Sequence, residues 1–239
     1  MSNILTDTNI SEKRAALCDM DGTLYDSMPR HARAWHRMAT EMGIEATEDE
    51  FFMYEGMTGA ATLKILFNRA FHRDPSDEEV RELYGRKTRY FTELPGTAPV
   101  MPGAQQLLVA LQGAGIVPVL VTGSGQATLL NRLDNDFPGA FAADLRVTSH
   151  NVTHGKPHPE PYLKAMEMAG VTPGQSIAFE NAPLGVESAA RAGAYTVAIS
   201  TGPIPAQALA EAGADVVFAS MQECADAFQA LLANNSKKH

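Results

Sequence analysis

From residue 102 onward, helix-period segments alternate with short apolar runs, and this alternation restricts the fold more than any other feature of the chain. Ala104, Leu107, Leu108 and Leu111 recur at helical spacing, as do Tyr162, Ala165, Met166 and Ala169. Among them lie apolar runs at 116–121, 176–179, 195–199 and 215–218, and another stands near the start at 15–18. Runs of this length fit strands buried on both faces. Strand and helix in turn predict an α/β fold: a doubly wound parallel sheet with helices on both faces.

Residues 29–91 break the alternation. Trp35, Met38, Ala39 and Met42 fall at helix spacing, followed by segments around Phe51, at 63–71 and at 77–91, with no strand pattern among them. An all-helical piece is thus inserted after the first strand. We expect a core of 14–28 and 98–232, a helical domain of 29–97, and hinges at 26–29 and 94–103, the second rich in Pro and Gly. The polar segments 1–13 and 233–239 are expected to be flexible ends.

Composition supports a folded enzyme-sized chain and narrows its partners. Of 239 residues, 45% are hydrophobic and 20% charged, enough to build a sizeable core. The 28 acidic residues against 19 basic ones give a net charge of -9, which argues against general affinity for nucleic acid or anionic membrane. No stretch approaches the roughly 18 apolar residues of a membrane span, and 1–14 lacks the apolar core of a leader, so a cytoplasmic location is expected. Cys18 and Cys224 are the two cysteines, too few for a disulfide framework or a multi-cysteine zinc site. Cys18 adjoins Asp19, but successive strand side chains point opposite ways, so its place is in the core.

The strand ends carry the chemistry. The first ends in Cys18-Asp19-Met20-Asp21-Gly22-Thr23, and period two puts both carboxylates on one side. Parallel sheets bind ligands at this edge, and two carboxylates there need a cation, a proton or separate roles. Alone, such a motif is equally a solvated turn. The second strand leads into Thr122-Gly123-Ser124-Gly125, where a hydroxyl and free amides can hold an anion or simply cap a helix. Lys156 precedes a helix in a proline-fixed loop, and the third strand ends in Glu180-Asn181, oxygen donors suited to magnesium. His150, His154 and His158 lie in a polar loop without matched ligand spacing and are expected to face solvent.

Together, Asp19-x-Asp21-Gly-Thr, Thr122, Lys156 and Glu180-Asn181 have the order and context of the four motifs of the haloacid dehalogenase superfamily. Over about 14–232 the chain resembles its β-phosphoglucomutase-like phosphatase branch. The resemblance implies a Rossmann-like core with a helical cap, and Mg2+ held by Asp19, the Asp21 main-chain carbonyl, Glu180 and Asn181. It implies Asp19 as nucleophile forming an aspartyl phosphate, Asp21 as acid and base, and Thr122 and Lys156 holding phosphoryl oxygens beside Gly123 and Ser124. The cap loop at 54–59 corresponds to the family's substrate-selecting loop, making Glu55 and Thr58 candidates for substrate binding. His31 and Lys87 match positions used in mutases.

Two departures qualify the resemblance. Asn181 stands where the family carries Asp, and Glu55 is the candidate to restore that charge. Gly59 stands where mutases carry an arginine for a second phosphate. The reading is a magnesium-dependent phosphohydrolase acting on a small phosphorylated metabolite, a sugar phosphate, by a monomer or weak homodimer. The alternatives are an inorganic pyrophosphatase with Glu55 as a cap metal ligand, a hexose-phosphate mutase of β-phosphoglucomutase type, and a non-catalytic phosphate-binding module.

Overall fold

The structure, a computed structural model, describes residues 10–124 and 127–235. Gly125 of the second motif and the outermost parts of the expected flexible ends, 1–9 and 236–239, lie outside the described residues.

Six parallel strands form one sheet: β1 (Ala15–Cys18), β2 (Val117–Val121), β3 (Arg146–Val147), β4 (Ser176–Glu180), β5 (Tyr195–Ile199) and β6 (Val216–Phe218), in the order β3-β2-β1-β4-β5-β6. The chain winds outward from β1 to β3, then crosses back to lay β4 on the other side of β1. That reversal opens a crevice at the carboxyl ends of β1 and β4, where such sheets bind ligands. β3 was not anticipated. Two residues at a sheet edge carry no periodicity, and this strand exists through pairing of Arg146 and Val147 with Leu120 and Val121.

Four helices, α1 (Met28–Glu41), α2 (Glu48–Met53), α3 (Gly59–Phe71) and α4 (Asp77–Glu93), make up the insertion. The core adds α5 (Ala104–Gly113), α6 (Ala127–Leu130), α7 (Leu133–Asp136), α8 (Glu160–Ala169), α9 (Pro183–Arg191), α10 (Ala206–Glu211) and α11 (Met221–Asn235). Strand alternation divides the core in two. Ala16, Cys18, Ile177 and Phe179 pack with Leu107, Leu111, Cys224 and Phe228 of α5 and α11, whereas Ala15, Leu17, Val119 and Ala178 pack with Tyr162, Ala165 and Ala189 of α8 and α9. Cys18 is buried as expected, and burial pushes its thiol pKa up.

The helical insertion has its own core, built on Trp35, Met38, Phe51, Leu63, Leu66, Phe67 and Leu83. Its helix starts follow local chemistry: Thr47 caps α2, Thr58 caps α3, and Ser76 with Glu79 forms a reciprocal capping box on α4. The two connections to the core lie side by side, with Asp26 N–H donating to Pro99 O at 3.0 Å and Met101 N–H to Leu24 O at 2.8 Å. Ordered structure extends past both expected boundaries. A 3-10 turn at Ile10–Glu12 buries Ile10 in the core, and α11 continues to Asn235. Among the described residues no helix is long and apolar enough to cross a membrane.

Candidate active site

The carboxyl ends of β1, β2 and β4 bring the motif residues to one place. Asp19 N–H donates to Phe179 O at 3.0 Å and Thr122 N–H to Val147 O at 2.9 Å, carrying the ladder one residue past the strands. After Asp21 the chain turns sharply at Gly22, whose φ is +81°. A Cβ on Gly22 would stand 2.1 Å from Asn181 Nδ2 and 2.5 Å from Glu55 Oε1, so a side chain there would displace both groups.

Lys156 is the pivot of the charged cluster. Its Nζ donates to Asp19 Oδ1 at 2.6 Å, to Glu180 Oε1 at 2.5 Å and to Val121 O at 3.1 Å. Glu180 Oε1 also accepts the Tyr162 hydroxyl at 2.6 Å, while its Oε2 accepts the N–H groups of Asn181 at 3.1 Å and Ala182 at 3.4 Å. A carboxylate offers about four lone-pair sites, and these donors occupy them. Glu180, expected as a metal ligand, accepts the Lys156 ammonium here and so orients it. Asn181 bridges two elements: its Oδ1 accepts from Thr23 Oγ1 at 2.9 Å and its Nδ2 donates to Glu55 Oε1 at 2.8 Å.

Two oxygens stand out by what they lack. Asp19 Oδ2 and Glu55 Oε2 are buried without a hydrogen-bond partner. Burial pushes the Asp19 carboxyl up to about 8 against the pull of Lys156, and burial with Asp19 nearby pushes Glu55 well above the usual carboxylate range. Buried carboxylate oxygens left without a partner are hard donors, and with the oxygens available on Asn181 and the Asp21 main chain they suit a hard divalent cation such as Mg2+.

Asp21 belongs to a second chain of contacts. Its Oδ1 accepts from Ser27 Oγ at 2.6 Å and from His31 Nε2 at 2.9 Å, and Lys87 Nζ lies 2.6 Å from His31 Nδ1. The ionised Asp21 carboxylate only accepts and burial holds the His31 pKa down, so Nε2–H is the donor of a neutral imidazole and Nδ1 the acceptor facing Lys87. Burial alone would raise Asp21, but His31 and Ser27 outweigh it and hold the carboxyl below its ordinary value. Lys87 is walled by the rings of Trp35, Tyr84 and Phe91, with centroids 5.3–5.6 Å from Nζ, and burial pushes its pKa down to about 7.

These groups enclose a cavity of about 50 Å³, lined by Asp19, Asp21, His31, Glu55, Lys87, Thr122, Gly123 and Ser124 with the aromatic rings of Trp35, Phe51, Tyr54 and Tyr84. Thr122 Oγ1 accepts the Ser124 N–H at 3.0 Å, which shapes the loop above β2. The insertion closes directly on the core here: a Cβ on Gly123 would stand 2.3 Å from Gly56 O. Thr58 stands between the cavity-lining residues Met57 and Gly59. Its hydroxyl accepts the Ala61 N–H at 3.2 Å as the cap of α3, and its methyl faces Gly155. At Gly59, a Cβ would meet the Tyr84 ring at 2.2 Å.

Several site residues were not singled out from the sequence. Tyr162 sits on the apolar stripe of α8, which hides the role of its hydroxyl, Ser27, Trp35 and Tyr84 come into place through tertiary contact alone, and Thr23 was given no role of its own. Only Thr23 had a local signal, its position directly behind the paired aspartates.

A doubly wound core with a helical cap, two aspartates one residue apart at the switch point and a buried lysine opposite them define a capped α/β hydrolase. The chain belongs to the haloacid dehalogenase-like hydrolases, whose family model matches residues 13–193. It is 33% identical to hexitol phosphatase A of Escherichia coli over 77% of this chain and 82% of that protein. It is 32% identical to the phosphorylated carbohydrates phosphatase of Thermotoga maritima over 75% and 81% of the two chains. A solved structure from Bacteroides vulgatus, provisionally assigned as a β-phosphoglucomutase, superposes with a TM-score of 0.88 at 40% identity, over 96% of this chain and 95% of that one. The chain is therefore an enzyme, and the non-catalytic binding module is set aside.

Proposed function

We propose that the protein is a magnesium-dependent phosphatase of a small phosphorylated metabolite, a sugar phosphate in the first place, working through an aspartyl phosphate on Asp19. The observation that carries this reading is the asymmetry of Asp19: Oδ1 is pinned by Lys156 at 2.6 Å, whereas buried Oδ2 has no partner. The relatives named as sugar and polyol phosphatases support the substrate class.

In this mechanism Asp19 Oδ2 attacks phosphorus, the Oδ2–P bond forms and the ester P–O bond breaks. The leaving alkoxide takes the proton of the Asp21 carboxyl. A phosphate ester beside Asp21 favours that protonated form, and His31 and Ser27 fix its direction. Asp21 then accepts a proton from water as the water oxygen attacks phosphorus, breaking the Oδ2–P bond and releasing inorganic phosphate. Lys156 and the Thr122–Ser124 loop hold phosphoryl oxygens while charge shifts among them. Asp19 through its other oxygen, the Asp21 main-chain carbonyl, Asn181 and Glu55 would hold Mg2+, which supplies neutralisation of the phosphoryl charge when bound.

A second reading, hydrolysis of inorganic pyrophosphate, is favoured by one observation. Glu55 is 5% exposed and narrows a cavity of about 50 Å³, so the compact pyrophosphate needs less opening of the cap than a hexose phosphate does. The mutase reading lacks comparable support, because the Tyr84 ring fills the space beside Gly59. A screen of hexose and hexitol phosphates and pyrophosphate, with Mg2+ and with chelator, tests these readings. Release of phosphate from the sugar and polyol esters only with Mg2+ is the expected result. Turnover of pyrophosphate alone selects the second reading, and no phosphate release from any of them overturns both.

A further inference from the structure

The loop that carries Lys156 has a second face. On it His154, His158 and Glu160 come together, with one ligand atom of each lying within 4.8 Å of the others. His154 Nδ1 is 3.0 Å from Glu160 Oε2, His158 Nδ1 is 4.0 Å from the same oxygen, and the two imidazole centroids are 4.7 Å apart. Donors around a tetrahedral cation at bond lengths of about 2.0–2.2 Å stand roughly 3.3–3.6 Å from one another. The two separations from Glu160 bracket that value and the imidazole nitrogens lie within 4.8 Å of each other, so side-chain rotations bring the three donors to it.

Surface clusters usually disperse because ordering flexible side chains costs entropy. Here the backbone orders them. Glu160 Oε1 accepts the Thr153 N–H at 2.6 Å and its Oε2 the His154 N–H at 2.9 Å, so the carboxylate is aimed by two amides. His158 Nδ1 accepts the Glu160 N–H at 3.2 Å, which holds the ring beside the carboxylate; an incoming cation takes the place of this hydrogen bond and of the proton that His154 Nδ1 donates to Glu160 Oε2, so binding releases a proton. Ser188 Oγ donates to His158 O at 2.6 Å and Arg191 Nη1 to Pro157 O at 3.2 Å, stapling the loop to α9. The imidazoles remain open to an incoming ion, with 63% of the His154 side chain and 47% of the His158 side chain exposed.

We propose that His154, His158 and Glu160 form a binding site for a borderline divalent transition-metal cation, of which Zn2+ is the example, on the outer face of the Lys156 loop. Two imidazole nitrogens and one carboxylate suit Zn2+, Ni2+ or Cu2+ and discriminate against Mg2+, which takes oxygen ligands in octahedral array. The site is thus chemically distinct from the all-oxygen donor set around Asp19. Three protein donors leave a fourth position to water.

Calorimetric titration of the full chain, prepared without a polyhistidine tag, with Zn2+ in a large excess of Mg2+ tests the site. The expected result is one equivalent of Zn2+ bound, with affinity reduced at least tenfold in His154→Ala and in His158→Ala and unchanged in His150→Ala. Zn2+ should also raise the unfolding temperature of the parent and not of the two variants, each measured against its own metal-free unfolding temperature. Absence of Zn2+ binding under excess Mg2+, or equal binding by the parent and both variants, overturns the proposal.

Discussion

Asn181 Nδ2 donates to Glu55 Oε1 at 2.8 Å, tying the end of β4 to the cap across 126 positions of sequence. The amide that replaces the family's acid is therefore occupied by a carboxylate brought from the other domain. Both ends of this contact are buried, and the second oxygen of Glu55 has no partner. This arrangement underlies the first prediction: Glu55→Ala raises the Mg2+ concentration for half-maximal turnover by about tenfold or more, the order of effect known for losing even outer partners of a metal ligand. Glu55→Gln, which keeps an oxygen without its charge, falls between. Mg2+ titrations of turnover on pyrophosphate and on a hexose phosphate measure both, and curves that match the parent's would remove Glu55 from the metal site.

Asp19→Asn should lower turnover by ~10⁴-fold or more, because a neutral amide is a poor nucleophile of nearly the same shape. Lys156 keeps Glu180 as its partner at 2.5 Å, so the fold should survive, with an unchanged circular dichroism spectrum. Acid-quenched protein labelled from a radioactive phosphate ester should carry phosphate in the parent and none in the variant. Label retained by Asp19→Asn would place the phosphoryl group elsewhere.

Lys87 gives a stability signature with a definite sign. Its pKa is pushed down to about 7 by burial from an unfolded value of 10.5, so between these limits the unfolded chain binds a proton that the folded chain lacks. Stability from this group therefore rises as pH increases from about 7 toward 10.5, and the penalty of burying the ammonium is fully present below the folded pKa. Lys87→Met should remove that rise: the stability of the variant minus that of the parent declines across this window in urea unfolding. A difference that stays flat with pH would mean that Lys87 titrates normally.

Tyr162 meets the cluster through its hydroxyl, which donates to Glu180 Oε1 at 2.6 Å, and through its ring, whose centroid lies 5.4 Å from Lys156 Nζ and which a phenylalanine keeps. Tyr162→Phe leaves a buried carboxylate oxygen one donor short, a loss of about 1.5–3 kcal/mol for a hydrogen bond to a charged group. The variant should unfold at lower denaturant with an unchanged slope. Its turnover should fall modestly, since Lys156 keeps three acceptors but shares Glu180 Oε1 with no other donor. Unaltered stability would mean that water replaces the hydroxyl.

The sequence by itself determined the fold class and the placement of the four motifs. Strand runs at 15–18 and 176–179 are continuous apolar stretches, as burial on both faces of a sheet requires, and Leu107–Leu111 and Tyr162–Ala169 follow the 3.6-residue helical repeat. The two-residue β3, the cap of α3 by Thr58 and the ordered turn at Ile10 were beyond that reach. Short elements draw their stability from neighbours and not from their own pattern. The tertiary structure alone decided the pairings: Glu180 with Lys156 and Tyr162, Asn181 with Thr23 and Glu55, and His31 between Asp21 and Lys87. Each joins residues from separate elements whose approach is set by the sheet's switch point and the closure of the cap. A buried polar atom must find its partner wherever the packing brings one, and no spacing along the chain encodes which partner that is.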